Sequence, residues 1–247
     1  MINITIWNES THQEHKGNPY PEGMNAALKS IFGNAEEYTV TCALLDDPQQ
    51  GFPDGLLENT DVLLWWGHCR HEEVDDALAE AVAKRVRAGM GAVFLHSGHY
   101  SKPFRLLMGT SCSLAWREYD NEAERVWITD PYHPISCGVD NGFRIDAEEM
   151  YGEFFDIPKP DSVVFTGWFS GGEVFRSVCT FTRGQGRIAY CQPGHESFPI
   201  YYNDNVRRII KNAAEWVARI GPDTAMYTPE PDCVHRGTPL ETIAPKG

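Results

Sequence analysis

Val62-Leu63-Leu64-Trp65-Trp66 is a run of apolar residues with no polar alternation, and Ala92-Val93-Phe94-Leu95 repeats the pattern further along the chain. A strand with one face in water alternates with a period of two, so an unbroken apolar run has to be covered on both faces. Between the two runs, Glu72–Ala88 carries Val74, Leu78, Ala81, Val82 and Val86 at helical spacing and ends at Gly89. Upstream, Ile2–Trp7 and Thr39–Leu44 read as strands, and Glu22–Phe32 sets Met24, Ala27, Leu28 and Ile31 on one helical face. This β-α-β-α-β alternation predicts an α/β fold, a doubly wound, mostly parallel sheet flanked by helices in the flavodoxin-like manner.

The middle of the chain, about residues 110–172, is less regular. Strands resume near Ser162–Phe165, Val174–Phe181 and Arg187–Cys191, with Gly184-Gln185-Gly186 as a hairpin turn between the last two. A closing helix from about Asn203 to Arg219 buries Val206, Ile209, Ile210, Ala213 and Trp216. Beyond Gly221 the chain is rich in Pro and Thr without periodicity. The predicted organisation is one domain, residues 1–220, and a tail, residues 221–247.

Composition narrows the partners. A formal net charge of -14 repels phosphate backbones and anionic membrane surfaces, so neither nucleic acid nor membrane is expected. No run approaches the roughly 20 apolar residues of a membrane span, and the apolar N-terminus is a first strand rather than a signal. The seven cysteines form no C-x-x-C pair, which reads as reduced thiols in a cytoplasmic protein. A self-interface, through an apolar edge or the tail, is left open.

In doubly wound sheets, ligands bind beyond the carboxyl ends of the strands. Here those ends deliver histidines: His12 and His15 after the first strand, His68 and His71 after the third, His96 and His99 after the fourth. Imidazole is the commonest acid/base near neutral pH and the commonest metal ligand. A cluster from separate segments can hold Zn²⁺ or a similar divalent ion, with Glu149 completing the shell. Taken singly, a histidine at a strand end is more often hydrogen-bonded structure than a ligand. His68-Cys69-Arg70-His71 could set both imidazoles on one face of a first helical turn, whose N-terminus attracts anions. Cys69 is the nearest candidate thiol. Glu149, Tyr151 and Glu153 alternate acidic and aromatic side chains, and Tyr151, Trp66 and Trp168 suit the apolar faces of sugars.

Gly91-Ala92-Val93-Phe94-Leu95-His96-Ser97-Gly98-His99 reads as a strand turning sharply into a helix. That architecture presents the nucleophile in α/β hydrolases and amidotransferases, but an imidazole stands at its point. Ser97 would be a nucleophile only if the turn were shifted by one residue.

Together, Leu64-Trp65-Trp66-Gly67-His68, Phe94–Lys102, Glu148–Glu153, Gly171–Ser177 and Pro193-Gly194-His195-Glu196 resemble the trehalose-utilisation family called ThuA, across about residues 1–220. That family is similar in fold to class I glutamine amidotransferases, whose elbow reads roughly G-x-C-x-G-H and whose triad His lies in an H-P-E motif. Here His96 takes the Cys position and His195-Glu196 lacks the intervening Pro. Without the thiol no thioester forms there, so glutamine hydrolysis is not expected.

The resemblance implies cytoplasmic sugar catabolism, with trehalose-related disaccharides or their 3-keto derivatives as substrates. The roles expected are His96, His195 and Glu149 in catalysis, with His12, His68, His71, His99, Tyr151 and Trp66 binding substrate. His68, His96 and His195 are the expected ligands if a divalent metal assists. The alternative is a non-catalytic sugar-binding or regulatory module on the same fold.

Overall fold

The computed structural model describes residues 1–9, 19–33, 36–119, 122–219 and 240–241. In chain order the strands and helices are β1 (Ile2–Asn8), α1 (Met24–Ser30), β2 (Tyr38–Leu44), α2 (Leu56–Asn59), β3 (Val62–Trp66), α3 (Asp76–Arg87), β4 (Gly91–Leu95) and α4 (Lys102–Met108). They continue with β5 (Ala115–Arg117), β6 (Glu124–Ile128), β7 (Phe143–Ile145), β8 (Met150–Gly152), β9 (Ser162–Phe169), β10 (Val174–Arg183), β11 (Gly186–Cys191) and α5 (Asp204–Val217).

Nine strands form one mixed sheet in the order β2-β1-β3-β4-β11-β10-β9-β6-β7, and β5 pairs with β8 in a separate ribbon. From β2 to β11 neighbouring strands are parallel. From β11 to β7 they are antiparallel. The expectation of a mostly parallel sheet thus describes the half built by helical crossovers. The switch follows from the connection: a tight turn at Gly184 (φ 60°) joins β10 to β11, and only antiparallel neighbours can be joined that way.

β3 shows why its sequence carries no polar alternation. Val62, Leu64 and Trp66 enter one core with residues of α1 and α5, while Leu63 and Trp65 enter the opposite core with residues of α3 and α4. Both faces are covered, as an unbroken apolar run demands.

The helix expected over Glu72–Ala88 is shorter than its periodicity suggests. His71–Glu73 is a separate 3₁₀ turn, and α3 begins only at Asp76. Tertiary bonds hold the intervening backbone extended: Lys102 Nζ donates to the Val74 carbonyl at 2.7 Å, and the Asp75 N–H donates to Gln50 Oε1 at 2.9 Å. Of the expected tail, only Leu240 and Glu241 are described, and Glu241 pairs with Arg125 and Arg144 of β6 and β7.

Candidate functional site

β4 ends at Leu95, and His96 takes up the left-handed conformation with φ 49°. A non-glycine residue rarely adopts that conformation, which here turns the chain abruptly into the 3₁₀ segment His96–Tyr100 and then α4. The turn works because Gly98 passes close to β3, where a Cβ would lie 3.0 Å from the Trp65 carbonyl oxygen. The elbow is therefore centred on His96, and Ser97 lies beyond its point. Ser97 Oγ instead meets the Tyr151 hydroxyl.

His96 is fully buried. Its Nδ1 lies 2.9 Å from the Gln192 carbonyl, which can only accept, so Nδ1 carries a proton. Its Nε2 forms an ion pair with Glu149 Oε2 at 3.0 Å, and the Tyr151 ring stacks on the imidazole with centroids 4.9 Å apart. Burial alone would lower the His96 pKa. The Glu149 contact and the charges of Glu148, Glu149 and Glu196 outweigh burial and push it up to about 9. The same contact holds Glu149 below the usual carboxylate range, against its own burial. The pair is an imidazolium beside a carboxylate.

The second wall comes from the loop after β11. Gly194 has φ 156°, and a Cβ there would stand 2.2 Å from the Tyr201 hydroxyl oxygen and 3.3 Å from His96 Cβ, so only glycine lets this loop settle over the elbow. Glu148 pins it: its carboxylate accepts the Gly194 N–H at 2.7 Å, the His195 N–H at 3.1 Å and the Glu149 N–H at 2.9 Å. Burial pushes Glu148 up to about 7, against these bonds and the His96 charge.

His195 follows, with Nδ1 accepting the Ser197 N–H at 3.2 Å and Nε2 buried without a hydrogen-bond partner. An Nδ1 that accepts leaves the proton of a neutral ring on Nε2. Burial and the neighbouring His96 charge lower the His195 pKa to about 4, so the ring is neutral at pH 7. His68 Nδ1 pairs with Glu196 Oε1 at 2.8 Å, which raises His68 despite burial.

These groups stand together. Ring centroids are 6.1 Å apart for His68 and His96, 5.1 Å for His68 and His195, and 5.3 Å for His96 and His195. One ligating atom each from His68, Glu149 and His195 lie within 4.8 Å of one another. His96, also expected from sequence as a ligand, is not part of that set; its Nδ1 faces the Gln192 carbonyl and its Nε2 faces Glu149.

A cavity of about 390 Å³ opens on this cluster, within the range of small-molecule sites. Its wall includes His68, His71, His99, Glu149, Tyr151 and Trp116, with His96 and His195 just behind.

The other sequence-derived candidates are distributed as follows. His71 and His99 reach the cavity but are held neutral by burial, at about 4 and about 3, and His99 Nδ1 is bound to the Cys112 carbonyl. His68 and His71 do not share a helical turn, since the 3₁₀ segment starts only at His71. The expected anion at that turn is supplied by the chain itself: Glu9 accepts the N–H groups of Cys69 at 2.7 Å and Arg70 at 3.2 Å. Trp66 offers no surface to a sugar; it is wholly buried, its Nε1 donating to the Gly194 carbonyl at 3.0 Å. Glu153 turns away to pair with Arg176, and Trp168 stacks under Arg125. His12 and His15 lie outside the described residues.

Sequence reasoning missed Glu148, Gln192 and Trp116 as parts of the site. Glu148 had a signal, adjacency to Glu149 in an acidic-aromatic stretch. Gln192 acts through its backbone, which no side-chain pattern announces.

An α/β sheet with an imidazole at the elbow and a buried His/Glu cluster at its carboxyl rim defines the class of protein. The chain belongs to the ThuA trehalose-utilisation family, whose model matches residues 3–217. Its fold is similar to a ThuA-like protein from Parabacteroides merdae, 15% identical with a TM-score of 0.67 and 93% of each chain covered. A ThuA-like protein from Bacteroides uniformis, also 15% identical with TM-score 0.67, covers 87% of this chain and 91% of its own. A Salmonella typhimurium protein described as cytoplasmic shares 14% identity with TM-score 0.57, over 87% of this chain and 99% of its own. No curated protein matches the chain. Among the described residues no helix is long and apolar enough to cross a membrane.

Proposed function

We propose that this protein is an enzyme of cytoplasmic sugar catabolism acting on a trehalose-related disaccharide or its 3-keto derivative, the keto form reacting by proton transfer beside its carbonyl. The observation that carries the reading is Glu149 on the cavity wall, ion-paired to the buried His96 behind it and next to a neutral His195 whose Nε2 makes no hydrogen bond and lies 3.7 Å from Glu196 Oε2. Glu149 takes the proton from the carbon beside the ketone. The C–H electron pair becomes the C=C bond of an enediol(ate), and the carbonyl pair moves onto oxygen. The Nε2–H of His195 and the cationic His96 stabilise that developing charge, with the His68 imidazole beside them. His96 holds Glu149 ionised, so that the base is ready at neutral pH. The cytoplasmic setting is supported by a cysteine pattern suited to reduced thiols, with six described thiols unbridged.

A metal-assisted form of the same chemistry has its own support in the His68, Glu149 and His195 donors. His68 fits: Glu196 holds its Nδ1 and leaves Nε2 for a ligand, the usual way a carboxylate orients a metal-bound imidazole. His195 fits once its Nε2 proton moves to Nδ1 and the long Ser197 contact is given up. A divalent ion held there would polarise the sugar carbonyl.

The test is turnover of trehalose and 3-ketotrehalose by wild type and Glu149→Gln, with metal content measured on chelator-free protein. Loss of turnover by about 10²-fold or more in the variant supports the base role. One equivalent of metal, lost in His195→Ala, selects the metal-assisted form. Sugar binding without turnover, unchanged in His96→Ala and His195→Ala, would replace the enzyme with a binding module.

A further inference from the structure

Trp116 stands in β5 directly opposite Tyr151 in β8. Opposed residues of an antiparallel pair project from the same face of the ribbon, about 5 Å apart at Cβ. Both side chains accordingly line the same cavity, but at different depths: Tyr151 is 2% exposed and Trp116 is 65% exposed. The Tyr151 hydroxyl reaches 3.3 Å from His96 Nε2 at the cavity floor. Tyr151 thus marks the buried end of the cavity and Trp116 its exposed end. A sugar ring held at the buried end would leave its glycosidic partner toward the Trp116 indole.

The strand that carries the indole is braced at the next residue. Arg117 forms ion pairs with both Glu122 and Glu173, tying β5 to the loop before β6 and to the start of β10. Leu114 and Tyr100 continue the apolar rim, and Tyr100 is steadied by the Arg105 guanidinium 4.7 Å above its ring. Exposing a large aromatic costs hydrophobic free energy, and an aromatic face at the mouth of a cavity whose wall also carries His68 and Glu149 is suited to a ligand that is apolar on one side and polar on the other.

We propose that Trp116 is the platform of a second sugar subsite, stacking against the C–H face of the non-reacting ring and selecting disaccharides over monosaccharides. The inference rests on the sugar-binding reading above and adds which residue sets the length of substrate. The inner His/Glu end holds the reacting ring, and the outer indole holds its partner.

Calorimetric titration of the intact protein with trehalose and with glucose tests this, using wild type, Trp116→Ala and Trp116→Phe. Removal of the indole is expected to weaken trehalose roughly tenfold, the order of one lost aromatic face, with glucose unchanged and Trp116→Phe retaining most of the affinity. Equal weakening of both sugars, no weakening of trehalose, or no rescue by Phe overturns the subsite while leaving the site's sugar chemistry intact. Where glucose is too weak to measure, the Phe rescue decides. A wild type that binds neither sugar overturns the functional reading, and the subsite with it.

Discussion

At the scale of single residues, His96 is under two opposed forces. Burial disfavours its charge, while the Glu149 contact and the charges of Glu148, Glu149 and Glu196 favour it. The carboxylates prevail, and the pKa rises from 6.5 to about 9. A group whose pKa is raised on folding contributes stability fully below its unfolded value and loses it as pH rises through the folded one. Urea midpoints are therefore expected to fall between about pH 6.5 and pH 9.5, and His96→Gln should flatten that fall. Glu149 works in the opposite direction: its pKa is depressed, so its contribution is present above about 4.5 and is lost on acidification. In turnover assays His96→Gln should cost about 10²-fold, because the base next to it is no longer held ionised. A variant with unchanged turnover would remove His96 from the mechanism.

At the scale of elements, the site depends on how tightly the closing helix α5 seats against β4. A Cβ on Gly91, the first residue of β4, would stand 2.8 Å from the Val217 carbonyl carbon, Cβ and Cγ2. Gly91→Ala is expected to destabilise the protein by about 1–3 kcal/mol through overpacking, read from urea unfolding with an unchanged m-value. At the other end of α5, Asn203 accepts the N–H groups of Asn205 at 3.0 Å and Val206 at 3.2 Å. Replacing it by Ala removes the cap and should cost about 1 kcal/mol. Helix periodicity and caps made α5 legible from sequence. The start of α3 was not legible, because Lys102 and Gln50, distant in sequence, hold residues 74 and 75 extended.

For the whole molecule, the family match ends at residue 217, where α5 closes the sheet. The described tail residue Glu241 reaches back only to Arg125 and Arg144, on the antiparallel side and remote in the sheet order from β4. Such solvent-accessible pairs contribute little. Ending the chain after Arg219 is accordingly expected to leave the thermal midpoint and trehalose binding near the full-length values. A large loss of either would place the tail within the functional unit.

The linear pattern specifies the α/β layering, since apolar runs and helical spacing reflect local burial on a strand or helix face. It also specifies the elbow and the set of histidines at the strand ends, because strand termini are read from the same pattern. Which of those side chains stand together depends on the packing of distant segments. Trp66 and Trp116 are equal as letters, yet one lies under the sheet's helix layer and the other stands at the cavity mouth. Glu148 and Glu149 are adjacent, yet one pins a loop and the other faces the cavity. His12 stays outside the described residues, and Glu9, a few positions before it, fills the anion site expected near His71. Periodicity assigns a residue to a face, whereas ion pairs and cavities are set by contacts between segments far apart in the chain, which a linear pattern does not encode.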